Sequence, residues 1–208
     1  MSDRAASFPE RIAIASRNPH KLREIGRICA DWPVTWLTAD EHDDDRWPDV
    51  AETEDTYLGN ALLKARAVAA SVGVPALADD SGIEVDALGG KPGPRSARYA
   101  GEDATDERNL QALMRAVAGV PAGGRTARYR CVAALAWPDG GELHAEGVCE
   151  GALVPKRRGT RGFGYDPIFV PVGWDQTMAE LTDEQKDRIS HRGRAFRALR
   201  GLFVPDSR

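Results

Sequence analysis

The stretch 74–82, reading Val-Pro-Ala-Leu-Ala-Asp-Asp-Ser-Gly, constrains this chain more than any other. An apolar run over residues 74–78 reads as a strand and passes straight into two carboxylates, a hydroxyl and a glycine. Strand side chains alternate faces, so Asp79 and Asp80 point apart wherever the backbone is extended. One of them then faces a site and the other holds structure. Carboxylates where a strand ends and a loop opens suit a hard cation such as magnesium, which takes oxygen ligands and keeps several waters. Asp-Asp-Ser-Gly is also good turn chemistry. The two readings are separated only by what the rest of the chain supplies.

A length of 208 residues suits one domain, expected over residues 11–203, with loose tails at 1–10 and 204–208. An apolar fraction of 42% is enough for a real core, and a net charge of −4 argues against a nucleic-acid-coating surface. No apolar run reaches membrane-spanning length, and residues 1–10 lack the apolar block of a signal peptide. Three cysteines, an odd count, make no disulfide framework in a chain this long, and a reducing cytoplasm fits them best. The histidines His20, His42, His144 and His191 have no zinc-type spacing to the cysteines.

Taken in order, residues 11–15 (RIAIA) form a short strand, followed by Ser16-Arg17-Asn18-Pro19-His20-Lys21. Asn18 is a good N-cap and Pro19 fits the first helical position, with Leu22, Ile25 and Ile28 facing inward. Strand, polar loop and helix N-terminus make an anion site, with free backbone N–H groups and Lys21 in the first turn. The glycines of a P-loop are missing. The alternative is an ordinary capped helix with a surface lysine. Residues 34–37 are a second strand, and 40–49 an acidic surface loop. A helix starting near Thr56 carries Leu58, Leu62, Ala65 and Ala69 on one stripe, while Asn60 and Lys64 share a face one turn apart. Gly73 and Pro75 end it. The central strand resumes at residues 83–85 after Ser81-Gly82.

Residues 88–94 are a loop of turn-formers from which Arg95 and Arg98 emerge, suited either to a phosphate or to pinning the loop. Thr105 caps a helix whose buried stripe is Leu110, Leu113, Met114 and Val117. Residues 128–137 alternate, with Tyr129, Cys131, Ala133, Leu135 and Trp137 on one face. A turn at 138–141 returns the chain with Leu143, Ala145, Gly147 and Cys149 on one face, so Cys131 and Cys149 come opposite as buried thiols. Residues 156–162 are a basic, flexible loop. Phe163-Gly164-Tyr165-Asp166-Pro167 then leads into a strand over 168–170. Glycine between two aromatics lets a planar ligand approach the backbone, or simply serves a packed turn. Thr182 and Gln185 form a capping box for a helix carrying Lys186. His191 and Arg192 open the last helix, where backbone donors are free and where both side chains can donate to a keto oxygen.

These pieces, in this order, resemble the inosine triphosphate pyrophosphatase family, whose members hydrolyse non-standard purine triphosphates. The resemblance runs from about Ile12 to Leu202 and rests on SRNPHK, NALLKA, LADDSGIEVDALGG, SARYAGEDATD, GFGYDPIF and AELTDEQKDRISHRG. It implies an elongated α/β fold: a mixed β-sheet with helices on both sides, and two lobes flanking a central substrate cleft. It implies a homodimer, Mg²⁺ as cofactor, and products of nucleoside monophosphate and pyrophosphate, beside the cytoplasmic setting and the absence of a nucleic-acid or membrane partner expected from cysteines, charge and hydropathy. Carried over by position, Ser16, Arg17, Asn18, Pro19, His20 and Lys21 match the phosphate loop. Glu52 and Asp80 match the metal carboxylates, and Asp80 the general base. Ser81 matches a substrate contact, and Phe163, Gly164, Tyr165, Asp166, Lys186, His191 and Arg192 match the base pocket.

The residues agree with that chemistry. Asp80 can deprotonate a water attacking the α-phosphorus, while lysines and helix N-termini hold the phosphates. Lys21, Arg98, Lys186 and Arg192 supply local positive charge for a polyanion. Donors at His191 or Arg192 favour a 6-keto purine over adenine, because a donor left unpaired against adenine is costly. One position departs from the resemblance: where the family often has glutamate before the asparagine of NALLKA, this chain has Gly59. Glycine costs about 1 kcal/mol against alanine inside a helix, so Gly59→Glu is expected to raise thermal stability. Two other readings compete. One is a related Maf-type pyrophosphatase with another base preference, which the His191-Arg192 segment opposes. The other is a nucleotide-binding module without turnover, which Asp80 opposes.

Overall fold

The computed structural model describes residues 7–39 and 47–203. Most of the expected acidic loop, 40–46, and the residues 1–6 and 204–208 of the expected tails lie outside that range. The elements in chain order are β1 (Arg11–Ile14), α1 (Pro19–Ile28), β2 (Thr35–Leu37), α2 (Tyr57–Val72), β3 (Ala76–Val85), α3 (Asp106–Ala116), β4 (Thr126–Ala136), β5 (Glu142–Leu153), β6 (Phe169–Pro171), α4 (Asp183–Ile189) and α5 (His191–Arg200). The strands form one six-stranded sheet in the order β2-β1-β3-β4-β5-β6. It is mixed: β1 runs parallel to β2 and β3, with Arg11 opposite Thr35 and Ala13 opposite Ala76, while β5 and β6 are antiparallel, with Gly151 opposite Pro171. No helix among the described residues is long and apolar enough to cross a membrane.

Two compact units share the chain. The first comprises Met1–Asp80, Val132–Gly147 and Arg194–Arg208; the second comprises Ser81–Cys131 and Val148–Gly193. The core of the first is built from small residues: Ala13, Ala15, Ala65, Ala69, Ala76 and Ala78 pack with Val68 and Leu37. Small side chains let α2 lie close on the strands, and this corrects the stripe expected from its leucines. Tyr57, Asn60, Ala61, Ala65, Val68 and Ala69 are the buried residues of α2, and Leu58 and Leu62 are partly buried beside Tyr57, Ala61, Val132 and Ala134. Phe8, Trp32 and Phe203 close this unit with ring contacts, Phe8 stacking on Phe203 at 4.2 Å between centroids. The second unit has a larger-residue core, centred on Ile83, Leu113, Tyr129, Leu153, Ile168, Phe169 and Met178.

Three expectations change. The Asp-Asp-Ser-Gly segment is neither a turn nor a strand end, because β3 runs unbroken through Asp79, Asp80, Ser81 and Gly82. Along β4 the alternation holds only to Cys131; residues 131–136 are buried on both faces because Val132 and Ala134 lie against α2. The strand expected at 168 begins at Phe169, after a 3₁₀ turn over Asp166–Ile168 in which Pro167 has no N–H for a ladder. The hairpin at 138–141 forms as read, with Trp137 N–H donating to Gly141 O at 2.8 Å. Cys131 and Cys149 are buried free thiols.

Candidate active site

In the first unit, α1 begins as its sequence predicts. The Asn18 side chain accepts from the amides of His20 and Lys21 at 2.9 and 3.3 Å, and Pro19 has no N–H to satisfy. Leu22 N–H donates to Asn18 O. The N–H groups expected to be free for an anion are therefore engaged within the chain, which corrects that part of the reading. Ser16 Oγ accepts from Asn18 N–H at 3.3 Å, and the Arg17 guanidinium donates to the Trp47 carbonyl. The Arg23 guanidinium lies 2.8 Å from His20 Nδ1. A guanidinium only donates, so Nδ1 accepts and the proton of a neutral His20 sits on Nε2. Lys21 is what α1 sends inward: its Nζ stands 3.2 Å from Asp79 Oδ2 and 3.4 Å from Asp79 O.

The neighbouring acids come from the 52–54 segment and from β3, and Asn60 and Lys64 of α2 reach them. Lys64 Nζ donates to Glu52 Oε1 at 2.6 Å and to Asp79 O at 2.8 Å, and lies 3.9 Å from Asp80 Oδ1. Asn60, fully buried, donates to Asp80 Oδ2 at 3.1 Å and to Glu54 O at 3.1 Å, while its Oδ1 accepts from Glu54 N–H at 3.0 Å. One amide thus ties the 52–54 segment to Asp80. Burial pushes the Asp80 carboxyl above its ordinary value; Lys64, Lys21 and the Asn60 hydrogen bond pull it down, and Glu52 adds to the rise. Burial would lower Lys64, but Asp80, Glu52 and Asp79 hold it above its ordinary value. Asp79 and Asp80 take separate partners, Lys21 for one and Asn60 with Lys64 for the other, as their alternation on β3 requires.

Gly59 sits one residue before Asn60, and the structure reverses the expectation attached to it. A Cβ there would stand 2.7 Å from Glu54 Cβ, 2.8 Å from Glu54 Cγ and 3.0 Å from Thr56 Oγ1. The Glu54 backbone is clamped by Asn60 and cannot yield cheaply, so a side chain at 59 strains this turn rather than stabilising it.

In the second unit a different set assembles. Lys186 on α4 pairs with Asp166 at 2.5 Å, both buried. Asp166 also accepts from Tyr129 OH at 3.2 Å and from Phe163 N–H at 3.0 Å. Gly162 makes that turn possible: it holds φ +72°, and a Cβ would stand 2.0 Å from Asp166 Oδ2. Lys186 Nζ and the Arg192 guanidinium lie 5.1 and 5.7 Å from the centre of the Phe163 ring. Arg192 donates to Ser81 Oγ at 3.0 Å. The His191 ring stacks on Tyr129, 4.5 Å between centroids and 8° from parallel. His191 and Arg192 are accordingly 6% and 1% exposed rather than surface groups at a helix start. The space beside Gly164 is open, its φ is +59°, and its N–H donates to Asp106 Oδ2 at 3.0 Å. Tyr165 packs in the core, burial raises its phenol, and its hydroxyl donates to Ser96 O at 2.7 Å.

Sequence reasoning missed three residues. Lys64 and Asn60 carried a signal in their shared helix face, and Tyr129 carried none beyond its place on a buried strand face.

An all-oxygen acid cluster with two lysines in one unit, and in the other a ring flanked by cations, are the parts of a protein that handles a phosphorylated, planar ligand. The comparisons name its kind: the Ham1 family model matches residues 12–202, and the chain belongs to that family. A dITP/XTP pyrophosphatase of Streptomyces coelicolor is 49% identical over 191 residues, 91% of this chain and 94% of the relative. One from Geobacter sulfurreducens is 47% identical over 190 residues, 91% of this chain and 94% of that one. Among solved structures, a HAM1 protein from Coxiella burnetii superposes with a TM-score of 0.83 at 39% identity, covering 93% of this chain and 98% of its own. The resemblance read from the motifs and the expected α/β fold with a mixed sheet both stand.

Proposed function

We propose that this chain hydrolyses non-standard purine nucleoside triphosphates (ITP, dITP, XTP) to the monophosphate and pyrophosphate; its relatives from Streptomyces and Geobacter are named dITP/XTP pyrophosphatases. The observation that carries the chemistry is Asp80: a buried carboxylate, one oxygen held by Asn60, the other facing Lys64, with its proton affinity raised by burial. A raised affinity is what a general base needs. Asp80 takes the proton of a water attacking the α-phosphorus. The bond from that phosphorus to the bridging oxygen breaks, and pyrophosphate leaves with the electron pair. Lys21 and Lys64 hold the phosphates already oriented.

The same cluster fits Mg²⁺. Glu52 Oε1 and Asp80 Oδ1 lie 2.6 and 3.9 Å from the same Lys64 Nζ, so two carboxylates converge on one point, with Asp79 on Lys21 beside them. Among the described residues no three His, Cys, Asp or Glu side chains gather as a closed cage. Magnesium suits that arrangement, since it binds through one or two carboxylates plus substrate phosphates and water. Glu52 and Asp80 would hold it, and when bound it offsets charge on the phosphates. The base falls to Phe163, Lys186, His191 and Arg192, with Ser81 on Arg192. Arg17 and His20 serve by shaping the loop that presents Lys21, as do Ser16, Asn18 and Pro19; Gly164, Tyr165 and Asp166 shape the turn that presents Phe163. The reading makes the protein a cytoplasmic homodimer acting on free nucleotides, with no nucleic-acid or membrane partner.

Pyrophosphate release from ITP, XTP, GTP and ATP, each with Mg²⁺ and with EDTA, tests the proposal. Mg²⁺-dependent release from ITP and XTP, with GTP and ATP nearly inert, is expected. Asp80→Asn should keep ITP binding and lose at least about a hundredfold in kcat. Wild-type protein that binds ITP without turnover would refute it.

A further inference from the structure

Tyr129 joins two groups that otherwise sit on separate elements. Its ring lies parallel to the His191 imidazole, 4.5 Å away, and its hydroxyl donates to Asp166 Oδ1 at 3.2 Å. Asp166 in turn holds Lys186 through its other oxygen, and the same oxygen accepts from Phe163 N–H. A buried residue of β4 therefore sets the plane of His191 from one face and braces the anchor of Lys186 and Phe163 with its edge. A ring stack leaves an imidazole free to move in its own plane but not to tilt out of it, and a hydroxyl bond fixes how far along that plane the stack sits.

We infer that Tyr129 is the positioning residue for base recognition: it aligns His191 with Lys186 and Phe163 so that all three meet the purine in one fixed geometry. The inference rests on the base-pocket reading above. In this role the phenol acts through His191 and Asp166. Its loss should weaken binding of the base and blur the choice among bases, while the phosphate chemistry at Asp80 continues.

Two substitutions separate the two contacts. Tyr129→Phe keeps the ring and removes the hydroxyl; Tyr129→Leu removes both. Steady-state pyrophosphate release from ITP and GTP is measured for each, beside wild type and His191→Ala, with thermal melting of every variant. Tyr129→Leu should raise KM for ITP about tenfold with kcat within about twofold, and Tyr129→Phe should recover most of that loss, leaving KM about threefold raised. The ratio of kcat/KM for ITP over GTP should fall in the same order. A residue that merely fills the core would lower the melting temperature and the active fraction and leave KM where it was. Unchanged KM in both Tyr129 variants, with His191→Ala raised, overturns the inference alone. Wild type that releases no pyrophosphate, or His191→Ala with unchanged KM, overturns the base-pocket reading and the inference with it.

Discussion

Gly59 tests whether local propensity or local packing governs the start of α2. Glycine at the third position of a helix invites replacement, and propensity alone promises at most about 1 kcal/mol from Gly59→Ala. The structure opposes this. The added Cβ would stand 2.7 Å from Glu54 Cβ, an atom rigidly attached to a backbone that Asn60 grips through both its N–H and its C=O. Overpacking of this kind costs about 1–3 kcal/mol. The balance is a net loss of about 1 kcal/mol, which for a chain of this size lowers the melting temperature by about 2–4 °C. Gly59→Glu meets the same contact and should fall at least as far. The mechanism also predicts a coupling. Asn60→Ala removes the clamp, so adding Gly59→Ala in that background should cost less than it does in wild type. Urea unfolding of the four proteins, with the interaction energy taken from the cycle, measures both effects. A higher melting temperature for Gly59→Ala, or strict additivity with Asn60→Ala, would refute the clamp.

Two further outcomes follow from the ion pairs. Lys186→Met removes the cation from the buried Asp166 carboxylate and leaves it the neutral donors Tyr129 OH and Phe163 N–H, and should cost about 3–5 kcal/mol in urea unfolding, with Asp166→Asn added on top recovering part of it. Equal losses in the single and double variants would show that the charge was never the issue. Arg66 donates to Glu142 through two guanidinium nitrogens and, with some opposition from burial, holds that carboxyl below its ordinary value. A depressed folded pKa adds stability that is complete above the unfolded value of about 4.3 and is lost as pH falls through the folded one. The stability gap between wild type and Arg66→Ala should accordingly be present at about pH 7 and shrink as pH falls below about 4; a gap that stays constant under acidification would exclude the linkage.

Where the chemistry is local, the sequence determined the outcome. Asn18 and Pro19 start α1, Thr56 and Gly73 bound α2, and Thr182 with Gln185 forms the capping box of α4, because each cap is completed within a few residues by groups the sequence names. The separation of Asp79 from Asp80 follows from strand geometry alone. Tertiary structure decided what depends on distant atoms. β3 continues through Asp-Asp-Ser-Gly because neighbouring strands and helices supply partners for residues whose own propensity favours a turn. The amides at the start of α1 are spent on Asn18, so positive charge there comes from Lys21. His191 and Arg192 are buried because Tyr129 and Ser81, 62 and 111 residues earlier in the chain, stand against them. Gly59 is required because Glu54 occupies the space a side chain would need. Spacing along a chain reports which groups share a face; which of them meet, and what fills the gap between, is settled only when the chain is packed.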